Sequence, residues 1–259
     1  MTKNVKSKNV IKLEKISNVC YNKNIDKERW NLLRDINVIK EDYNDYIMQQ
    51  LHEYEISLEM IGSAIERMKA KKLISENVQI TGRIKSFKSA YLNYERDKKI
   101  DDCFGLRIVA KQEELVKIRE ELAKLLTVKS TKDHRKRMNT EYNAEHQMVY
   151  LNNEFIDGLK DIDPHLFPLL EIQYWDEETE RDCFNGNLSY AHYKHRDIKK
   201  MAKQYNENPE SVYEELPTYY EIEGKEVKRL SKEETLDRMY PELKKELEKN
   251  NQEEILEIV

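Results

Sequence analysis

The chain reads as an α+β protein, a mixed β-sheet flanked by helices and carrying helical N- and C-terminal extensions, on three observations. Apolar residues first recur at helical spacing over a long stretch. The period then shortens to two in several short runs, separated now by a helix and now by a polar loop. The third observation is bulk composition: 259 residues with 39% hydrophobic and 37% charged content describe a helix-rich globular chain with a strongly solvated surface.

Residues 1–25 are rich in Lys and Asn, and the pattern turns helical from Asp26. Tyr43, Ile47, Leu51, Tyr54, Leu58, Ile61, Ile65 and Met68 mark one face of a long amphipathic helix. Its basic end, Lys69-Ala70-Lys71-Lys72, complements the helix dipole. Val78 and Ile80 alternate with polar residues into Thr81-Gly82, a strand signal, and Ser86 to Tyr94 reads as a short helix. Leu106–Ala110 is an apolar strand, and Gln112–Leu126 a helix with Leu115, Ile118, Leu122 and Leu125 on one face. A strand at Thr127–Lys129 precedes a polar loop, Ser130 to Asn143. Further strands follow near Gln147–Leu151 and at Leu169–Trp175, and Glu177–Tyr205 is mainly helical.

Beyond Asn206 the composition shifts. Tyr219–Leu230 reads as a hairpin turning at Glu223-Gly224, and Ser231-Lys232-Glu233-Glu234 has the form of a capping box. The chain therefore divides into a basic, helical N-terminal extension (1–40), a central domain (41–205) and a C-terminal hairpin and helical extension (206–259).

Charge is unevenly spread. Residues 1–137 hold 30 Lys/Arg against 21 Asp/Glu, and the remainder 15 against 29, so the basic half suits phosphate groups. Cys20, Cys103 and Cys183 are odd in number and widely spaced, so neither a disulfide framework nor a zinc cluster is indicated. The sequence shows neither a membrane-length apolar run nor a signal peptide, and a cytoplasmic location is expected.

Five constellations carry candidate chemistry. Arg83 and Lys85 alternate as they leave a strand, so both fall on one face ahead of Ser86 and Ser89. Asp102 stands at the mouth of an apolar strand, Gly105 permits close backbone approach, and Arg107 lies within the sheet. Taken as structure alone, Asp102 is a turn residue paired to Arg107. Tyr142 and His146 follow a basic loop. Glu171 and Gln173 share one strand face while Leu170, Ile172 and Tyr174 share the other. A carboxylate on such a strand is costly unless a cation or hydrogen bonds compensate it. The fifth constellation is the basic helix around Tyr193 and Lys194.

In order and spacing, these elements resemble the synthetase domain of the RelA/SpoT family, whose small members make the alarmones ppGpp and pppGpp. The family pattern R-x-K-x-x-x-S is matched by Arg83, Lys85 and Ser89, D-x-x-G-x-R by Asp102, Gly105 and Arg107, and Y-x-x-x-H by Tyr142 and His146. E-x-Q is matched by Glu171 and Gln173, and a late Y-K pair by Tyr193 and Lys194. The resemblance spans about residues 78–196. It implies a nucleotidyltransferase-like mixed sheet and transfer of the β,γ-pyrophosphate of ATP to a 3′-hydroxyl.

By the same resemblance Asp102 and Glu171 hold Mg²⁺, and Glu171 accepts the hydroxyl proton. Arg83, Lys85, Ser89 and Arg107 bind ATP, joined by Lys129 and Lys132 of the following loop. Tyr142 stacks on the acceptor base, and His146, Gln173 and Lys194 orient the acceptor.

The chain also departs from the pattern. Glu141 and Ala144 stand where the family has Gly and Ser, and Asn93 where a Lys is common. Tyr174-Trp175-Asp176 replaces I-R-T. Three readings follow: an alarmone synthetase using GDP or GTP, a toxin-type synthetase acting on the 3′ end of tRNA, and a non-catalytic nucleotide-sensing module. The expected protein partners are a second copy of the chain and, for the toxin type, an antitoxin.

Overall fold

In a computed structural model, the structure describes residues 36–97, 102–134, 144–152, 167–185 and 216–241, with Lys244, Lys245 and Glu248. The long periodic segment forms α1 (Ile36–Ala70). β1 (Gln79–Ile84), α2 (Phe87–Asp97), β2 (Phe104–Ala110) and α3 (Gln112–Leu122) follow. Next come β3 (Leu126–Asp133), β4 (Ala144–Leu151), β5 (Leu170–Asp176) and α4 (Glu177–Asn185). The hairpin β6 (Thr218–Glu223) and β7 (Glu226–Arg229) leads into α5 (Lys232–Met239).

These strands make one seven-stranded sheet in the order β3-β4-β5-β2-β1-β6-β7. The β2–β5 pair is parallel and the other neighbours are antiparallel, so the sheet is mixed, as expected of the α+β class. The C-terminal hairpin belongs to this same sheet, through β6 on β1.

Several boundaries differ from the sequence reading, β2 starting at Phe104 and β4 at Ala144 among them. The helix expected over Gln112–Leu126 stops at Leu122, and Leu126 opens β3 instead. β3 runs on to Asp133, so Ser130–Asp133, Lys132 included, are strand rather than loop. Apart from buried Leu126 its residues are exposed or half-buried, and no apolar alternation marked it. α2 begins at Phe87 and continues to Asp97, with Ser86 Oγ accepting a hydrogen bond from the Ser89 N–H at 3.4 Å, an N-cap. The expected helical residues 26–35 and 186–205 lie outside the described residues.

One face of the sheet is apolar and carries the core. Ile80, Ile84, Phe104, Leu106, Ile108, Leu170, Ile172, Val149 and Ile222 are buried there with Tyr54, Leu58, Ile61 and Ile65 of α1 and Ile118 and Leu122 of α3. The packing is close. A Cβ on Gly82 would stand 2.8 Å from Tyr54 Oη and 2.9 Å from Leu58 Cδ1. At Gly62 a Cβ would meet the Gly224 carbonyl oxygen at 2.3 Å, where the β6–β7 turn, with Gly224 at φ +59°, crosses the helix.

α1 also fixes the backbone of the opposite face from beneath. The buried Tyr43 hydroxyl donates to the Lys85 carbonyl at 2.6 Å, and the buried Tyr54 hydroxyl donates to the Gly105 carbonyl at 2.9 Å. Burial pushes both phenols well above their ordinary range, so each remains a neutral donor.

Candidate active site

Strand pairing decides which side chains share the second face. Arg83 is the register partner of Gly105, and Gly105 of Glu171. Arg107 is the partner of Gln173, and Gln173 of His146. Cross-strand partners point to the same side of a sheet. Arg83, Arg107, Glu171, Gln173 and His146, drawn from four strands, therefore stand together. Lys132 faces His146 across the β3–β4 pair.

The centre is Glu171. His146 Nδ1 lies 3.0 Å from its Oε1, the Gln173 side-chain amide donates to Oε2 at 2.7 Å, and Arg83 Nη2 is 3.9 Å from Oε2. Burial by itself raises the carboxyl's pKa. The hydrogen bond and charge of His146, the Arg83 charge and the Gln173 hydrogen bond more than offset that, holding Glu171 well below the ordinary carboxylate range. It is a fixed anion.

The second carboxylate is Asp102, just before β2. Its partner is Lys85, whose ammonium is ion-paired to Oδ2, and the Asn93 side-chain amide donates to Oδ2 at 3.1 Å. Asp102 does lie in a turn, but the expected pairing to Arg107 does not hold. Lys85 lies nearly buried at the end of β1, with its backbone N–H donating to the Cys103 carbonyl at 2.8 Å. Arg107 instead lays its guanidinium over the buried Trp175 ring, 3.7 Å from its centre.

Thr81, Arg83, Gly105, Leu106, Arg107, Gln173 and Tyr219 line a shallow open depression on this face. Gly105 forms part of it. A Cβ there would meet the Glu171 carbonyl oxygen at 3.6 Å and Arg83 Nε at 3.7 Å, ordinary contacts, so the close approach expected at this position does not itself require glycine.

The structure thus gathers Arg83, Arg107, His146, Glu171 and Gln173 on one face, and pairs Lys85 with Asp102 at the β1 end and β2 start. Ser89 stands in the first turn of α2, where its backbone is capped by Ser86. Lys129 falls at the irregularity in the β3–β4 pairing, exposed, with its ammonium 6.0 Å from the Tyr150 ring centre. Tyr142 and Lys194 lie outside the described residues. Four residues escaped the sequence reading as site residues: Thr81, Asn93, Trp175 and Tyr219. The period of β1 and β6 sets the face of Thr81 and Tyr219, but only the tertiary pairing tells what that face looks onto.

The carboxylates suit a hard cation. Mg²⁺ is ordinarily held by one or two carboxylates together with substrate phosphates, and Asp102 and Glu171 offer oxygen ligands beside Lys85 and Arg83. Among the described residues no group of three or more His, Cys, Asp or Glu side chains is placed to hold a metal by itself. Nor is any helix among them long and apolar enough to cross a membrane.

No family model and no curated protein matches the chain. Solved structures do. The small alarmone synthetase 1 from Bacillus subtilis bound to its product pppGpp is similar at 17% identity and TM-score 0.47, over 67% of this chain and 92% of that one. Another structure of the Bacillus subtilis synthetase 1 matches at 16% identity and TM-score 0.43, over 82% and 99%. A GTP pyrophosphokinase family protein from Streptococcus pneumoniae matches at 18% identity and TM-score 0.43, over 67% and 87%.

Proposed function

We propose that the protein is a pyrophosphokinase that transfers the β,γ-pyrophosphate of ATP to the 3′-hydroxyl of GDP or GTP. The observation that supports this reading above all is the constellation on one sheet face, where Glu171 is anchored by Arg83, His146 and Gln173 with Arg107 on the same face, while a second carboxylate, Asp102, is held by Lys85 just before β2. These residues also carry the sequence resemblance. Phosphoryl-type transfer asks little covalent chemistry of a protein and much positioning and charge neutralisation.

In this reading the acceptor 3′-oxygen attacks the β-phosphorus, the bond from that phosphorus to the α,β-bridging oxygen breaks, and AMP leaves. Arg83, Lys85 and Arg107 bind the phosphates and neutralise the charge that develops, with Lys129, Lys132 and Ser89 further out. Asp102 and Glu171 would hold Mg²⁺, which when bound supplies Lewis-acid neutralisation of the phosphate oxygens. Glu171 accepts the hydrogen bond of the attacking hydroxyl. Its depressed carboxyl makes it a better ligand and orienting acceptor than proton store. His146 and Gln173 fix its two oxygens, and Tyr142 and Lys194 hold the acceptor.

The test is an acceptor panel: purified protein, labelled ATP and Mg²⁺ with GDP, GTP or deacylated tRNA. Label appearing on GDP or GTP with release of AMP is the expected result. Label on tRNA alone would replace the nucleotide acceptor by the tRNA end, and no transfer to any acceptor would favour a nucleotide-sensing module.

A further inference from the structure

We propose that the C-terminal hairpin and helix are a wall of the nucleotide pocket, and that Tyr240 is a positioning residue that acts through Tyr219. The proposal rests on the ATP-dependent reading above and goes beyond it, since nothing in that reading gives residues 218–240 a task.

β6 brings Tyr219 opposite Arg83 on β1, so its ring stands on the charged face and lines the depression. Two residues on, Glu221 shares that face. Both are gripped by the end of α5. The Tyr219 hydroxyl lies 3.1 Å from the Tyr240 hydroxyl, with the rings edge to face at 6.3 Å, and Arg238 Nη1 donates to Glu221 Oε1 at 2.6 Å. α5 therefore lies over the charged face at its β6 end.

The two contacts differ in kind. The Arg238–Glu221 pair is exposed, whereas Tyr219 and Tyr240 are both buried at 2% exposure. A buried hydroxyl pair fixes ring orientation, because a buried polar group that loses its partner is costly. Tyr240 is the C-cap of α5, with its N–H on the Leu236 carbonyl, so docking of this helix and the setting of the Tyr219 ring are one event. The buried Tyr219 ring, register partner of Arg83, fixes that side of the depression, and the Arg83 guanidinium beside it suits the polyphosphate of ATP.

ATP binding measured by calorimetry on the full chain tests the proposal, with thermal unfolding recorded on the same samples. Tyr240→Phe keeps the ring and removes the hydroxyl. It is expected to weaken ATP binding about three- to tenfold, the change that loss of one net hydrogen bond produces. In a Tyr219→Phe background the same substitution is expected to add nothing, and Arg238→Gln to leave the affinity unchanged. An unchanged affinity in Tyr240→Phe, whatever its melting temperature, would overturn the proposal, as would equal losses in Tyr240→Phe and Arg238→Gln. If the unsubstituted protein binds no ATP, the pyrophosphokinase reading itself fails and the wall falls with it.

Discussion

The two faces of the sheet solve opposite problems with the same strands. On the α1 side, β1, β2 and β5 present Ile80, Ile84, Phe104, Leu106, Leu170 and Ile172, all buried under helices. On the other side, the alternate residues of those strands include Arg83 and Gln173, both tied to Glu171, and Arg107, laid over Trp175. The first face gains stability from burying apolar area. The second orders and desolvates charges that must then compensate one another. Substitutions on the first should therefore cost folding, and on the second, chemistry.

The largest expected effect lies on the charged face. Asp102→Asn and Glu171→Gln remove charge and keep shape, and each should lower transfer by about 10²-fold or more. Steady-state assays beside circular dichroism would check this; an active Glu171→Gln variant would break the contrast. Phe104→Ala should instead cost about 3–5 kcal/mol of folding free energy, read by denaturant titration, because it empties a fully buried position between Tyr54 and Tyr46.

The two glycines sharpen the comparison within a single register. Gly82→Ala should destabilise by about 1–3 kcal/mol, since its Cβ would collide with Tyr54 and Leu58. Gly105→Ala adds its methyl at ordinary contact distance from Arg83 and should leave the melting temperature nearly unchanged. A modest effect is expected at the C-terminal helix. Ser231 Oγ accepts from the Glu234 N–H while the Glu234 carboxylate accepts from the Ser231 N–H, and Ser231→Ala should cost about 1 kcal/mol. Glu234 is held at about 2 by its hydrogen bonds to Lys228 and Ser231. A depressed carboxylate contributes stability that is present above its ordinary value near 4.5 and lost as pH falls toward 2. A pH series on Glu234→Gln should lose that acid-side slope.

The sequence carried the site's content further than its geometry. Glu171 and Gln173 on one side, with Leu170 and Ile172 on the other, were legible because strand period alone sorts them. Arg83 was legible on the polar side of β1 for the same reason, whereas Lys85 falls just past the strand's end. That Lys85 turns to Asp102 while Arg83 turns to Glu171 was not legible, because the choice depends on which strand lies alongside. The hairpin after Thr218 was readable from its turn, yet no local signal says that β6 docks on β1, and so Tyr219 stayed out of the site. β3 went short in the reading because an exposed edge strand needs no apolar alternation. Trp175 read as a departure from the family pattern, and the structure shows the use of its ring as the bed for Arg107.

The central claim is that the charged face moves two phosphates as a unit, and product analysis tests it most directly. Incubated with ATP, Mg²⁺ and GDP, the protein should yield AMP and a guanosine nucleotide heavier by one pyrophosphate, in equal amounts, with both absent in Glu171→Gln. ADP and free orthophosphate instead, or AMP with no matching gain on the acceptor, would contradict it.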